Sequence, residues 1–207
     1  RRQHRGQESA GISLIQSDRS LKTYKKMGLV PHVLTASVLN KLGGSNFAIG
    51  HNRYATSGHS SLDNAQPLTV KEKNYQLSIG HNGNIPDVSN LKKALEKKTH
   101  TTSDTAIVAK LLLEKRPLHA SWEETFTDVM PHIRGAYSFV ILTNDDTLFG
   151  IRDPYGIRPL CIGKLSNGWI IASESVALDA VGAEFVRDVA PGEIITITKT
   201  GKLLSTF

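Results

Sequence analysis

The sequence predicts a layered α+β domain, and three observations carry that prediction. Short apolar or period-two runs recur in both the first and the last third of the chain. Several are joined by tight polar turns, which admit only antiparallel pairing because parallel neighbours need a longer crossover. A central block with helical periodicity separates the two groups of strands, so helices are expected to pack outside long antiparallel sheets.

Strand-like runs fall at about 10–16 (AGISLIQ), 21–26, 46–53 (NFAIGHNR), 75–81 (YQLSIGH), 136–142, 147–152, 159–163, 168–173 and 193–198. Turn residues at Asp18–Ser20, Asn144–Asp146, Ser166–Gly168 and Thr200–Gly201 punctuate them as hairpins. A helix is predicted over 86–98, opening on Pro86 and Asp87 and repeating Val88, Leu91 and Leu95. A second over 103–115 takes Ser103 as N-cap with Asp104 in its first turn. A third over 121–130 starts with the capping-box spacing Ser121–Glu124, lines up Trp122, Phe126, Val129 and Met130, and stops at Pro131. A short helix near 175–182 completes the set.

A chain of 207 residues can bury the core of one large domain or a tight pair. No apolar run approaches the roughly 18–20 residues of a membrane span, and no basic stretch followed by an apolar one marks a secretory signal within these residues. The single cysteine, Cys161, excludes an internal disulfide and suits a reducing, cytoplasmic setting. It lies in the strand-like PLCIG with no histidine beside it, so a buried, inert thiol is expected. The net charge is +6, which invites a nucleic-acid reading. The densest basic run, Lys92, Lys93, Lys97 and Lys98, falls on one predicted helix without interleaved aromatics, which describes a solvated face rather than a strand-binding groove. Arg1 opens inside a polar stretch and Phe207 follows the apolar Leu203–Leu204, so the chain is expected to belong to a longer polypeptide.

Three islands carry the chemistry: GHNRYATSGH at 50–59, GHNGN at 80–84 and TTSDT at 101–105. Arg53 offers a planar fork that suits a carboxylate, or is simply a surface arginine. Asn82-Gly83 offers an amide and an accessible backbone N–H for a developing oxyanion, or is simply a hairpin turn. Asp104 offers a carboxylate to an ammonium group, or only complements its helix dipole, worth roughly 0.3–1 kcal/mol. Together the functional alternatives describe a site for a free amino acid with a side-chain carbonyl. His51 and His81 supply too few ligands for a metal site. DPYGIRP at 153–159 reads as a rigid loop.

Taken in order, RRQHRGQESAGI, GHNRYATSG, GHNGN, TTSDT, RGAY, RDPYGIRPL, ASES and PGEI make the chain similar, over essentially all its length, to the glutaminase domain of the amidophosphoribosyltransferase family. These are class II glutamine amidotransferases of the N-terminal-nucleophile hydrolase type. Two related families would word the motifs differently: glucosamine-6-phosphate synthases as RGYDSAG and HTRWATHG, asparagine synthetases as RGPD. The resemblance implies a four-layer α-β-β-α sandwich of antiparallel sheets and one type 2 glutamine amidotransferase domain over 1–207, truncated at both ends. It implies that Arg53 holds the glutamine carboxylate with Thr56 supporting that loop, that Asp104 holds the ammonium, and that Asn82 and the Gly83 N–H form the oxyanion hole. It places Arg5 near the nucleophile's loop. The family's nucleophile is a cysteine at the mature N-terminus, and the strand bearing it is missing here, since residue 1 is Arg. These residues alone are therefore expected to be inactive, leaving a non-catalytic glutamine-binding domain or another class II amidotransferase as alternatives. For the complete protein, the resemblance implies ammonia transfer to phosphoribosyl pyrophosphate in purine synthesis through a following domain, assisted by Mg²⁺. It also implies an iron–sulfur cluster in some members and a homo-oligomer. It implies no cofactor in this domain and neither nucleic acid nor membrane as a partner.

Overall fold

A computed structural model describes residues 6–54, 61–96, 101 and 103–207. Arg5, Thr56, Lys97 and Lys98 lie outside the described residues. The strands are β1 (Ser9–Ile15), β2 (Leu21–Met27), β3 (Ala48–Arg53), β4 (Leu68–Glu72), β5 (Tyr75–Asn84), β6 (Ala136–Thr143), β7 (Thr147–Arg152), β8 (Cys161–Leu165), β9 (Gly168–Ala172), β10 (Glu184–Asp188), β11 (Ile194–Ile197) and β12 (Leu203–Thr206). The helices are α1 (Val30–Val33), α2 (Ala36–Leu42), α3 (Ser89–Ala94), α4 (Asp104–Lys115), α5 (Trp122–Val129) and α6 (Ser175–Val181).

Pairing is antiparallel throughout the described sheets. One sheet runs β12-β11-β7-β6-β5-β4, and two smaller ones run β2-β1-β3 and β10-β8-β9. All four predicted turns join neighbouring strands of these sheets.

Alternation along the strands sorts the layers. On β6, Phe139 and Ile141 face one way and share a core with Ile107, Leu111 and Leu112 of α4 and with Trp122 and Phe126 of α5. Leu142, on the other face, joins Ile15 and Ile49 of the first small sheet and Ile162 of the second. Leu178 of α6 then packs on Cys161 from outside. The order is helices, large sheet, small sheets, helix, which is the expected α-β-β-α sandwich.

Local signals worked where the partner lies within a few residues. Ser103 Oγ accepts from Ala106 N at 3.3 Å and Ser121 Oγ from Glu124 N at 3.2 Å, as caps should. The predicted helix over 86–98 is a correction: α3 covers only Ser89–Ala94. Asp87 accepts from Ser89 N at 2.8 Å, forming a turn ahead of the helix instead of entering its first turn. The strands β4, β10 and β12 and the helices α1 and α2 were not anticipated. Each is short, and β10 and β12 carry mostly exposed side chains, so neither leaves the apolar alternation that identifies a half-buried strand.

Candidate active site

The end of β5 is where the islands meet. β4 stops pairing at Leu68, opposite Ile79, so β5 runs on past its neighbour. The next residue with backbone groups on that open edge is His81, and side chains replace the missing strand. Its N–H donates to Gln66 Oε1 at 2.7 Å, and its carbonyl accepts from His51 Nε2 at 3.0 Å. The two-residue period of a strand puts the Gly83 N–H next on this same edge.

Asn82 and Gly83 therefore stand inside a strand, paired with Ser138 and Tyr137 of β6, and not in the hairpin turn that Asn-Gly most often marks. Glycine is required here by space: a Cβ on Gly83 would lie 2.0 Å from the Ala136 carbonyl oxygen and 2.6 Å from His81 Nε2. Asn82 shares its face of the sheet with Ser138, whose hydroxyl donates to the Arg158 carbonyl at 3.0 Å. The side-chain amide thus faces the space between sheets where loop 153–160 docks.

Asp104, in the first turn of α4, reaches the same place. Its Oδ2 accepts from Ile85 N at 3.1 Å, immediately after β5, and lies 3.7 Å from His81 Nδ1. Its Oδ1 accepts from Thr105 N at 2.6 Å and from the Thr105 hydroxyl at 3.1 Å. The carboxylate is 27% exposed, so one side of it is open to a ligand.

Arg53 sits at the end of β3, two residues beyond His51 and on the same face. That spacing is about 7 Å along a strand, so Arg53 lies one repeat past the point where β3 touches β5. Contrary to the simplest expectation, its fork already has a carboxylate. Nη1 donates to both oxygens of Glu8, at 2.7 and 2.8 Å, and both side chains are largely buried. The reason is register. Ser9 of β1 stands opposite Arg53, and the Glu8 N–H donates to the Arg53 carbonyl at 3.0 Å, so Glu8 arrives beside the guanidinium. Two residues earlier Gly6 takes φ +65°, where a Cβ would come within 2.5 Å of the Asn52 carbonyl oxygen. Nothing in the sequence signals a partner 45 residues away.

His51 and His81 are both neutral here. Burial, opposed only in part by the hydrogen bond to His81, lowers His51 to about 4. Its contact with a carbonyl requires the hydrogen on Nε2. Burial also lowers His81, and the nearby Asp104 carboxylate only partly offsets this. Among the described residues no three His, Cys, Asp or Glu side chains gather as a metal would require. Cys161 is buried, its thiol donating to the Ala172 carbonyl at 3.3 Å. Burial pushes it up, away from the thiolate form.

In sum, the described site brings Asn82, Gly83 and Asp104 together at the end of β5 and stacks β3 with Arg53 beside them. Thr56 and Arg5 fall outside the described residues. Glu8 and Thr105, which contact Arg53 and Asp104 directly, and Gln66, which holds the His81 N–H and Thr105, were missed.

A profile of the glutamine amidotransferase domain matches residues 51–180, a stretch that contains the second and third islands and all of the first but Gly50. The chain is 41% identical over 206 residues to the amidophosphoribosyltransferase of Synechococcus elongatus, covering 96% of this chain and 41% of that one. To the amidophosphoribosyltransferase of Archaeoglobus fulgidus it is 40% identical over 204 residues, covering 97% and 44%. The glutamine phosphoribosylpyrophosphate amidotransferase from B. subtilis, solved with ADP and GMP, superposes with a TM-score of 0.86 at 36% identity, over 99% of this chain and 44% of that one. The chain thus spans less than half the length of these relatives. It belongs to the glutamine amidotransferase domain family.

Proposed function

We propose that residues 1–207 form the glutaminase domain of an amidophosphoribosyltransferase, one type 2 domain of a longer cytoplasmic protein that supplies ammonia to phosphoribosyl pyrophosphate. The observation that carries the reading is the meeting of Asp104 with the end of β5, since Asp104 Oδ2 accepts from Ile85 N at 3.1 Å. That puts an anion for the substrate ammonium two residues from the Gly83 N–H. Arg53 holds the substrate carboxylate, sharing its fork with Glu8, and Thr56 supports it from the following loop.

In this reading the substrate carbonyl rests against the Gly83 N–H and the Asn82 amide. A cysteine thiolate upstream of Arg1, in the segment next to Arg5, attacks the carbonyl carbon. Its proton is carried by its own α-amine, a base of ordinary pKa near 7.7–8.0. As the C–S bond forms, negative charge moves onto the oxygen and the two donors hold it. The C–N bond then breaks, the amine hands its proton to the departing nitrogen, and ammonia leaves. Water hydrolyses the remaining thioester to glutamate. The 207 residues by themselves hold only the buried Cys161 thiol, so alone they bind glutamine without turning it over.

The test is Asp104→Ala in the full-length protein. Glutamine-dependent synthesis should fall at least tenfold, mainly through KM, while synthesis from added ammonia stays near its original rate. An equal fall in both activities overturns the ammonium-binding role.

A further inference from the structure

Asp104 and Gly83 come from different elements, a helix start and a strand edge, yet a glutamine molecule must touch both. What sets their separation is a buried polar cluster outside the three islands' expected roles. Gln66, just before β4, is 8% exposed and Thr105 is 1% exposed. The Gln66 side chain accepts the His81 N–H on its oxygen at 2.7 Å, and its nitrogen donates to Thr105 Oγ1 at 3.4 Å. His81 Nδ1 lies 3.0 Å from the same hydroxyl, and that hydroxyl donates to Asp104 Oδ1 at 3.1 Å. The proton order follows. With its one hydrogen on Asp104, the Thr105 hydroxyl accepts from the Gln66 amide and stands beside His81 Nδ1.

We propose that Thr105 and Gln66 are positioning residues that fasten the Asp104 carboxylate to the His81 peptide, so the ammonium subsite and the oxyanion subsite keep one fixed separation. The inference rests on the roles given above to Asp104 and Gly83 and deepens them. A cluster of this kind is not the cheapest way to fill a core. Buried polar groups must all be satisfied to break even, and well-packed apolar side chains of the same volume are often as stable. Here the Gln66, Thr105 and His81 Nδ1 contacts are all made while His81 Nε2 is left without a hydrogen-bond partner among the described residues, and the two ends are Asp104 and the His81 peptide, two residues before Gly83. A shift of about 1 Å in a positioned group can cost 10²-fold in rate, so a rigid link here has a direct kinetic consequence.

The experiment is steady-state glutaminase kinetics on the full-length protein carrying Thr105→Val, Thr105→Ser, Gln66→Met and Asp104→Asn. Thr105→Val, nearly isosteric, should raise KM for glutamine about tenfold and lower kcat about tenfold, the scale of one hydrogen bond to a charged group. Thr105→Ser should restore both to within about threefold. Gln66→Met, which keeps the volume, should move both in the same direction by a smaller factor. Adding Asp104→Asn to Thr105→Val should cost less than it does alone, because the link is already cut. If Thr105→Val and Gln66→Met leave KM and kcat within twofold while Asp104→Asn raises KM, the positioning role is overturned. If Asp104→Asn leaves KM unchanged, it is the ammonium assignment beneath it that is overturned.

Discussion

Two aspartate–arginine sets lie within the motifs of the chain, and the molecule uses them differently. In loop 152–160, Asp153 is fully buried and both its oxygens are occupied. They accept the N–H groups of Tyr137, Tyr155, Ile157 and Arg158. Arg152 directs its fork inward as well, to the carbonyls of Arg158, Val189 and Gly156 at 2.6–2.8 Å. At the end of β5, Asp104 keeps one open side, while Arg53 pairs through Nη1 with Glu8, both side chains largely buried. Both sets are charged and hydrogen-bonded. What separates a structural carboxylate from one that can take a ligand is the share of its lone pairs the chain itself has consumed.

The largest effect should come from breaking the inward set. Asp153→Ala leaves the buried Tyr137 N–H and three part-buried loop N–H groups without their acceptor, at a cost of up to about 1–3 kcal/mol each where water cannot replace it. With partial relaxation we expect about 4 kcal/mol of lost stability, read as a lower urea midpoint at unchanged slope. A loss below about 1 kcal/mol would erase the distinction between the two sets, since Asp153 would then be as dispensable to the fold as Asp104.

The open end should answer in the other currency. Asn82→Ala removes one donor facing the oxyanion and should lower glutamine turnover by roughly 10²–10³. Asn82 is half-buried on the rim of the large sheet, so the melting temperature should move by no more than about 2 °C. A rate within threefold of the original retires the oxyanion role, and a large fall in melting temperature with the rate would make Asn82 another Asp153.

How far the sequence alone reached depends on the range of the interaction. The hairpins, the caps at Ser103 and Ser121, and the buried face of α5 could all be read, because each rests on contacts within a few residues. Asn82, Gly83 and Asp104 could be picked out as residue types suited to a zwitterion, and family likeness ordered them. Their surroundings could not be read. Glu8 reaches Arg53 across a β-ladder, and Gln66 reaches His81 because β4 happens to stop short. Such partners leave no periodicity, and their residue types are those of ordinary surface positions. Asn82-Gly83 misled in the other direction. The dipeptide favours turns by intrinsic preference, but pairing with β6 on one side overrides it.

A third carboxylate tests whether donor count is the right scale. Glu193 is 1% exposed and accepts from Arg187 Nη1 and Nη2 at 2.8 and 2.6 Å, from Ser205 Oγ at 2.6 Å and from Ala190 N at 2.6 Å. Burial raises its pKa, but these donors outweigh burial and hold it at about 2, below the ordinary 4.5. The sign follows from linkage. A carboxyl depressed in the folded state contributes stability above its unfolded value and loses it as acid protonates it. Glu193→Gln should therefore cost about 1–2 kcal/mol at pH 7, kept modest because Arg187 is 43% exposed and solvent shares the pair. The gap to the unchanged protein should hold down to about pH 4.5 and close between there and about pH 2. Urea denaturation at pH 7, 4.5 and 2.5 reads it directly. A gap that stays constant across that window would mean the carboxylate charge adds nothing to the fold, and donor count would lose its standing as the measure that separates Asp153 from Asp104.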